Sequence, residues 1–143
     1  MAHRGRTLLL VLTCLLPACA MGDIFGPPLP VDVTEQQVIG TWTATEGAGT
    51  FVFAADGTLA ARDLPADVLP ASEASGAAGP WSCTGTWRIT SPIGGDEDQR
   101  NIVELDLRGV PGTSGGYSTR MSASKPDDVI VLGMDRYSYR KRS

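Results

Sequence analysis

Residues 49–64 read GTFVFAADGTLAARDL, a pattern of two short alternating segments joined by a turn sequence. Phe51 and Phe53 stand two residues apart, the period at which side chains of a β-strand return to the same face. Asp56-Gly57 supplies the positive-φ positions that a tight hairpin turn needs. Residues 58–64 then form the partner strand, so the stretch predicts an antiparallel hairpin.

The two-residue alternation continues outward from this hairpin, broken by turn signals at short intervals. We predict strands around residues 40–42 and at 49–54, 58–64, 81–90, 101–107, 117–123, 129–133 and 136–140. A loop rich in Ala, Pro and Ser separates two of them at residues 65–80. About eight strands with no helix longer than one turn predict an all-β fold, a single antiparallel up-and-down barrel or sandwich.

Two strands carry the same tripeptide, Gly40-Thr41-Trp42 and Gly85-Thr86-Trp87. Glycine and tryptophan two residues apart face the same side of a strand. The glycine removes a side chain where a large indole must lie, which predicts that Trp42 and Trp87 pack against a closed or narrowing core. Chance recurrence of a good strand sequence is the alternative, since two copies do not make a repeat protein.

The first tripeptide, on the first strand after a short helical turn, resembles the G-x-W motif of lipocalins and related calycin barrels. In that family the tryptophan closes one barrel end beneath a basic residue from the last strand, which implies these roles for Trp42 and Arg140. The stretch from residue 38 to Trp87 and the closing residues 132–140 also resemble small lipocalin-like lipoproteins of GC-rich Gram-positive bacteria. The resemblance implies a lipocalin-like barrel and, with less force, a bound ligand.

The first 18 residues have the composition of an export signal. Arg4 and Arg6 form a basic start, and residues 8–16 form an uncharged apolar run. This run is too short to span a bilayer, which takes about 20 apolar residues. The segment therefore predicts a signal peptide rather than a membrane helix.

Leu16-Pro17-Ala18-Cys19 resembles the lipobox of bacterial lipoproteins, in which the cysteine thiol receives a diacylglyceryl group and becomes the mature N-terminus. The resemblance implies that Cys19 is lipidated and that its acyl chains hold the protein to the extracytoplasmic side of the cell membrane. Two or more acyl chains suffice for stable anchoring. An ordinary secretory signal with release after Ala20 is the competing interpretation, because residues 18–20 fit the A-x-A pattern.

The chain is thus predicted to have three parts: a signal peptide at 1–18, a lipidated N-terminus with a proline-rich tether at 19–34, and a lipocalin-like barrel domain at 35–143. Pro27, Pro28 and Pro30 favour an extended tether. Residues 34–37 fit a capping box, which predicts one helical turn before the first strand.

The composition excludes several classes of function. Once Arg4 and Arg6 are removed with the signal, ten of the 12 basic residues face 16 acidic ones, a formal charge of −6, so nucleic acid is not an expected partner. The single histidine, His3, lies in the signal, which removes the commonest general base and metal ligand. Cys83 is the one thiol outside the N-terminal region, and its strand phase predicts a buried position. We expect no metal and no cofactor.

Three sequence patterns that could carry chemistry have simpler explanations. Residues 112–116 match G-x-S-x-G, but without histidine or a following helix they predict a flexible glycine loop. Residues 122–125 match S-x-x-K in a strand-rich region where no helix opens. Residues 96–98 are three consecutive carboxylates without the spacing of an EF-hand loop. We therefore expect no enzymatic activity.

Two functions remain. The first is an interaction module of the cell envelope, with a filled barrel whose loops at 65–80 and 108–116 contact an envelope protein or a wall polymer. The second is lipocalin-like binding of a small apolar ligand inside the barrel or at its mouth. The two functions differ in the space that they leave inside the barrel. The aromatic and branched residues favour a barrel that is filled by its own side chains.

Overall fold

The computed structural model describes residues 28–47, 49–68 and 79–143. Within them, eight antiparallel strands form one closed barrel in which each strand pairs with the next and β8 pairs with β1. The strands are β1 (Gly40–Ala44), β2 (Thr50–Phe53), β3 (Thr58–Leu64), β4 (Trp81–Thr90), β5 (Ile102–Arg108), β6 (Tyr117–Ser124), β7 (Val131–Met134) and β8 (Tyr137–Lys141). One helical turn, α1 (Glu35–Val38), precedes β1, and a 3₁₀ turn, Pro126–Asp128, precedes β7. The all-β up-and-down prediction is confirmed in its barrel form.

The hairpin of residues 49–64 forms as predicted. Gly57 has φ of 81°, and Ala54 N donates to Thr58 O at 2.9 Å across the turn. Asp56 Oδ1 accepts from Thr58 N at 2.9 Å and from Thr58 Oγ1 at 2.6 Å. These hydrogen bonds lower the pKa of the Asp56 carboxyl, the side-chain bond most strongly.

Strand alternation separates a buried set of residues from an exposed set. In β4 the buried residues Trp81, Cys83 and Trp87 share the inner face, as the phase of the strand predicts. The fully buried large side chains of the core are Trp42, Tyr139, Phe51, Phe53, Leu64, Leu105, Leu107, Met121, Leu132, Val38, Val68 and Val103. They come from α1, from seven of the strands and from one loop, so the core lies inside the barrel.

One barrel end carries α1 and the β2–β3, β4–β5 and β6–β7 connections; we call it the α1 end, and the opposite one the far end. The predicted capping box begins α1: Thr34 N donates to Gln37 Oε1 at 2.8 Å, and Gln37 N donates to Thr34 Oγ1 at 3.4 Å. Val38, the last residue of α1, is completely buried. The helical turn therefore covers this end of the core.

Residues 30–33, which the sequence assigns to the tether, pack on the α1 end. Val31 N donates to Ala123 O at 3.0 Å, and Val33 N donates to Arg100 O at 2.9 Å. Asp32 Oδ1 accepts in return from Arg100 N at 2.8 Å. Val33 is 4% exposed. The ordered barrel unit therefore includes residues before α1.

The far end is covered by residues 65–68. Val68 is 2% exposed, and Trp81 Nε1 donates to Pro65 O at 3.0 Å. Asp67 accepts from Tyr137 Oη at 2.7 Å and forms an ion pair with Arg136. These contacts tie the start of the β3–β4 loop to the β7–β8 hairpin.

A β-bulge interrupts the alternation of β3. The register with β4 shifts between Ala61 and Leu64, and Asp63 has φ of 53°. The extra residue leaves Asp63 exposed and turns Leu64 into the core, where strict alternation would have placed the aspartate. The bulge thus keeps a charge out of the core.

The predicted signal peptide at 1–18, Cys19 and the first part of the tether lie outside the described residues. Among the residues that are described, no helix has the length and hydropathy needed to cross a membrane.

Gly85 gives a test of the packing. A Cβ added there would lie 2.1 Å from Asp106 O on the neighbouring strand, whereas one added at Gly133 would be 3.8 Å from Ser122 O, an ordinary contact. We expect Gly85→Ala to lower the free energy of unfolding by about 2–3 kcal/mol, since forced overpacking costs this much. The control Gly133→Ala should stay within about 0.5 kcal/mol. Urea unfolding of both variants measures the difference, and equal midpoints would contradict the close approach of β4 and β5.

Candidate functional site

Trp42 joins α1 to the barrel. Its side chain is 1% exposed, and its Nε1 donates to Val38 O at 2.7 Å. Because Val38 ends α1, this bond satisfies a carbonyl that the short helix leaves without an internal partner. Trp42 therefore closes the α1 end through both its apolar ring and its one donor.

The basic residue beside this motif is Lys141, not Arg140. Arg140 is exposed and pairs with Thr43, whereas Lys141 lies opposite Trp42 on β8. The reason is strand alternation: Tyr139 is buried, so its neighbour Arg140 points outward. Lys141 is exposed too, but its side chain lies over Gly40 and reaches α1. The alternation of β8, with the ring of Tyr139 turned inward, is the sequence signal that could have identified Lys141.

Lys141 connects the last strand to α1. Its Nζ donates to Gln36 O at 3.3 Å and to Gln37 O at 3.1 Å, both near the C-terminus of the helical turn. Its Cε would lie 2.8 Å from a Cβ built on Gly40, whose φ is 132°. Gly40 is therefore required by its backbone conformation, and a side chain there would also displace the end of Lys141.

The second tripeptide has a different structural basis. Trp87 Nε1 donates to Ala54 O at 3.0 Å, and its ring meets Phe53 edge to face at 5.5 Å between centroids. Gly85 makes room for the backbone at Asp106, not for an indole. The two copies thus share a sequence and a buried tryptophan, but their glycines meet different constraints.

The interior of the barrel is occupied by aromatic and aliphatic side chains. Phe51 lies 6.0 Å from Phe53 and meets Tyr139 edge to face at 5.0 Å between ring centroids. Burial raises the pKa of Tyr139, with a smaller contribution from Tyr137. Met121 and Leu132 are completely buried from the opposite wall. A barrel of eight strands can be filled by its own side chains or can hold one small ligand, and here buried aromatic and aliphatic side chains occupy the interior.

Within the described residues, three concavities lie on the outer wall of the barrel. The first, which we call the Arg108 groove, has a volume of about 520 Å³ and runs across β2, β3 and β4 to the end of β5. Its lining residues are Val52, Ala54, Thr58, Leu59, Ala60, Thr84, Gly85, Thr86 and Arg108. Two neighbouring concavities of about 590 and 390 Å³ share Arg108, and the larger reaches Gly115 and Gly116. A guanidinium therefore stands at the junction of three depressions on one wall.

Sequence reasoning missed Arg108 because its place follows from register. Arg108 lies opposite Thr84, and Thr84 lies opposite Ala60. Small side chains on two adjacent strands thus leave a depression beside the arginine. The spacing of residues along a single strand does not indicate which residues of adjacent strands lie side by side.

The catalytic patterns do not come together in one site. Ser114 is exposed in the β5–β6 connection at the far end, where Thr113 Oγ1 donates to Val110 O at 2.9 Å. Ser122 is exposed on the outer face of β6. Lys125 pairs with Asp128 at 3.2 Å between Nζ and Oδ1. The two serines therefore lie on opposite ends of the barrel.

Asp96–98 forms a local turn, in which Asp98 N donates to Asp96 Oδ1 at 3.0 Å. Over residues 28–47, 49–68 and 79–143, no group of three or more His, Cys, Asp or Glu side chains is placed to hold a metal ion. Cys83 is 7% exposed, and burial raises the pKa of its thiol to about 11. At neutral pH this thiol stays protonated and is a poor nucleophile.

Truncation of Trp42 tests the closure of the α1 end. We expect Trp42→Ala to cost about 3–5 kcal/mol of the unfolding free energy through the lost indole. Trp42→Phe, which leaves Val38 O without its donor, should cost about 1–3 kcal/mol. The control Arg140→Ala should change it by less than about 0.5 kcal/mol, because this side chain is exposed. Urea unfolding measures all three, and a large loss for Arg140→Ala would instead support the role first expected of that residue.

Comparisons of the chain with protein families, with curated proteins and with solved structures find no match. The closed eight-stranded antiparallel barrel is consistent with a lipocalin-like architecture. The chain is therefore an all-β protein with a closed, up-and-down barrel.

Proposed function

We propose that this chain is a lipid-anchored lipoprotein of the cell envelope whose lipocalin-like barrel acts as an interaction module and has no catalytic role. Cys19 carries the acyl chains, and residues 20–29 connect it to the barrel on the extracytoplasmic side of the cell membrane. The proposal for the anchor rests on the lipobox-like sequence at residues 16–19.

The filled interior is the observation that carries the choice of an interaction module. Phe51 contacts the rings of Phe53 and Tyr139 inside the barrel, Phe53 also meets the ring of Trp87, and Phe51, Phe53 and Tyr139 are each at most 1% exposed. A small apolar ligand would have to displace some of these side chains and break the ring contacts between them. Binding on the outer wall needs no such rearrangement.

The Arg108 groove is the surface that we assign to the partner. Its floor has small threonine, alanine and glycine residues, and its edge has an exposed guanidinium, a donor that favours carboxylate and phosphate groups. The larger neighbouring concavity, which shares Arg108 with the groove, reaches the predicted loop at 108–116 through Gly115 and Gly116. An envelope protein or wall polymer that lies along the wall and presents an anionic group to Arg108 fits this chemistry.

The anchor is tested by replacing the predicted lipid-bearing thiol. Cys19→Ala should move the protein from the detergent phase to the aqueous phase after phase separation, because no acyl chains remain. The control Cys14→Ala, in the predicted signal peptide, should partition like wild type. Mass measurement of the N-terminal peptide should show the diacylglyceryl group on Cys19. A Cys19→Ala protein that stays in the detergent phase would refute the anchor.

The groove is tested by a photo-crosslinking amino acid placed at Thr84 in the intact cell. The matched control position is Ser138, which is exposed on β8 away from the groove. We expect an adduct at Thr84 alone, and about tenfold less of it with Arg108→Glu, since a charged hydrogen bond contributes about 1.5–3 kcal/mol. Arg140→Glu, which makes the same charge change elsewhere, should leave the adduct unchanged. Equal adducts at both positions, or none at either, would contradict the groove as the contact surface.

A further inference from the structure

The large apolar side chains exposed at the surface of the described residues share one end of the barrel. Leu29 is 82% exposed, Ile93 is 81% exposed and Val129 is 44% exposed. Leu29 immediately precedes Pro30, which bridges to Ser124 at the end of β6. Ile93 lies in the β4–β5 connection and Val129 in the β6–β7 connection. All three therefore lie on the α1 end.

Single exposed apolar residues are common on protein surfaces, but here all three lie at the same end of the barrel. The loop of Ile93 is braced: Gly95 N donates to Pro92 O at 3.3 Å, and Ser91 Oγ donates to Glu97 O at 2.7 Å. Val129 N donates to Pro126 O at 3.0 Å in the 3₁₀ turn. Ordered turns thus hold these side chains away from the core.

The chain leaves the described barrel at this same end. Residues 30–33 are fixed by hydrogen bonds to Arg100 and Ala123, so the path toward the N-terminus starts beside Leu29. The nine residues 19–27 span at most about 30 Å when fully extended. If Cys19 is lipidated, as the proposed function requires, a short tether keeps this end at high effective concentration near the bilayer surface.

The charges on this end are of mixed sign. Lys125 pairs with Asp128, and the β4–β5 loop carries Asp96, Glu97 and Asp98 beside Arg100. Lys141 and Arg142 at the end of β8 add two positive charges, and Glu35 and Asp127 add two negative ones. Such a surface has no excess of positive charge to attract anionic lipid. Contact with a bilayer would therefore depend on the apolar side chains.

We propose that the α1 end rests on the bilayer that holds the anchor, with Leu29, Ile93 and Val129 in the headgroup region. Side chains of this kind enter the boundary between headgroups and acyl chains in proteins that lie on a membrane. The contact sets the orientation of the barrel. The far end and the Arg108 groove on the side wall then remain open to an envelope partner.

The test uses the acylated full chain in phosphatidylcholine vesicles that contain a lipid with a spin-label quencher in its headgroup. A fluorophore is attached to Ile93→Cys or, as the control, to Ser114→Cys at the far end, both in a Cys83→Ala background. Quenching at position 93 should exceed quenching at position 114 several-fold, and added phosphatidylglycerol should leave this ratio unchanged. Val129→Asp should lower the quenching at position 93 without releasing the protein from the vesicles.

Flotation of the vesicles separates failure of the orientation from failure of the anchor. A protein that floats with the vesicles but shows equal quenching at both positions overturns the inference alone. A protein that does not float, and whose N-terminal peptide has no lipid mass, overturns the proposed function and the inference with it. If the quenching ratio grew with added phosphatidylglycerol, electrostatic attraction rather than apolar contact would hold the α1 end to the bilayer. That result would overturn the inference.

Discussion

The last strand, β8, pairs with the first, β1, and this pairing turns the sheet into a closed barrel. Trp42, Thr43 and Ala44 lie opposite Lys141, Arg140 and Tyr139, and this ladder gives every strand two partners. A closed barrel has no edge strand on which another chain could build a sheet. Closure also fixes the interior volume, and in this barrel the inward aromatic and aliphatic side chains occupy it.

Closure of the wall leaves two ends to cover, and the chain covers each with a segment held by a tryptophan. At the α1 end Trp42 donates to Val38 O, and Lys141 reaches the carbonyls of the same helical turn. At the far end Trp81 donates to Pro65 O. An indole fills apolar space and still has one donor, so it suits a position between a packed core and a polar backbone segment.

Much of the fold could be predicted because strands and tight turns depend on local sequence. The bounds of β3 and β4 are those that the alternation predicts, and the capping box of Thr34 begins α1 where its pattern lies. Alternation could not choose between barrel and sandwich, since both have one buried and one exposed face per strand. The choice depends on whether β8 meets β1, which is a contact between residues far apart in the chain.

The parts that local reasoning missed depend on neighbouring strands. The bulge at Asp63 shifts a register that a strict two-residue period cannot represent. The reason for Gly85 lies in the backbone of β5, and the place of Lys141 depends on the phase of β8. The Arg108 groove likewise needs small residues on one strand beside an arginine on another. Surface grooves of such a barrel therefore depend on how outward residues of adjacent strands are combined, and strand register decides those combinations.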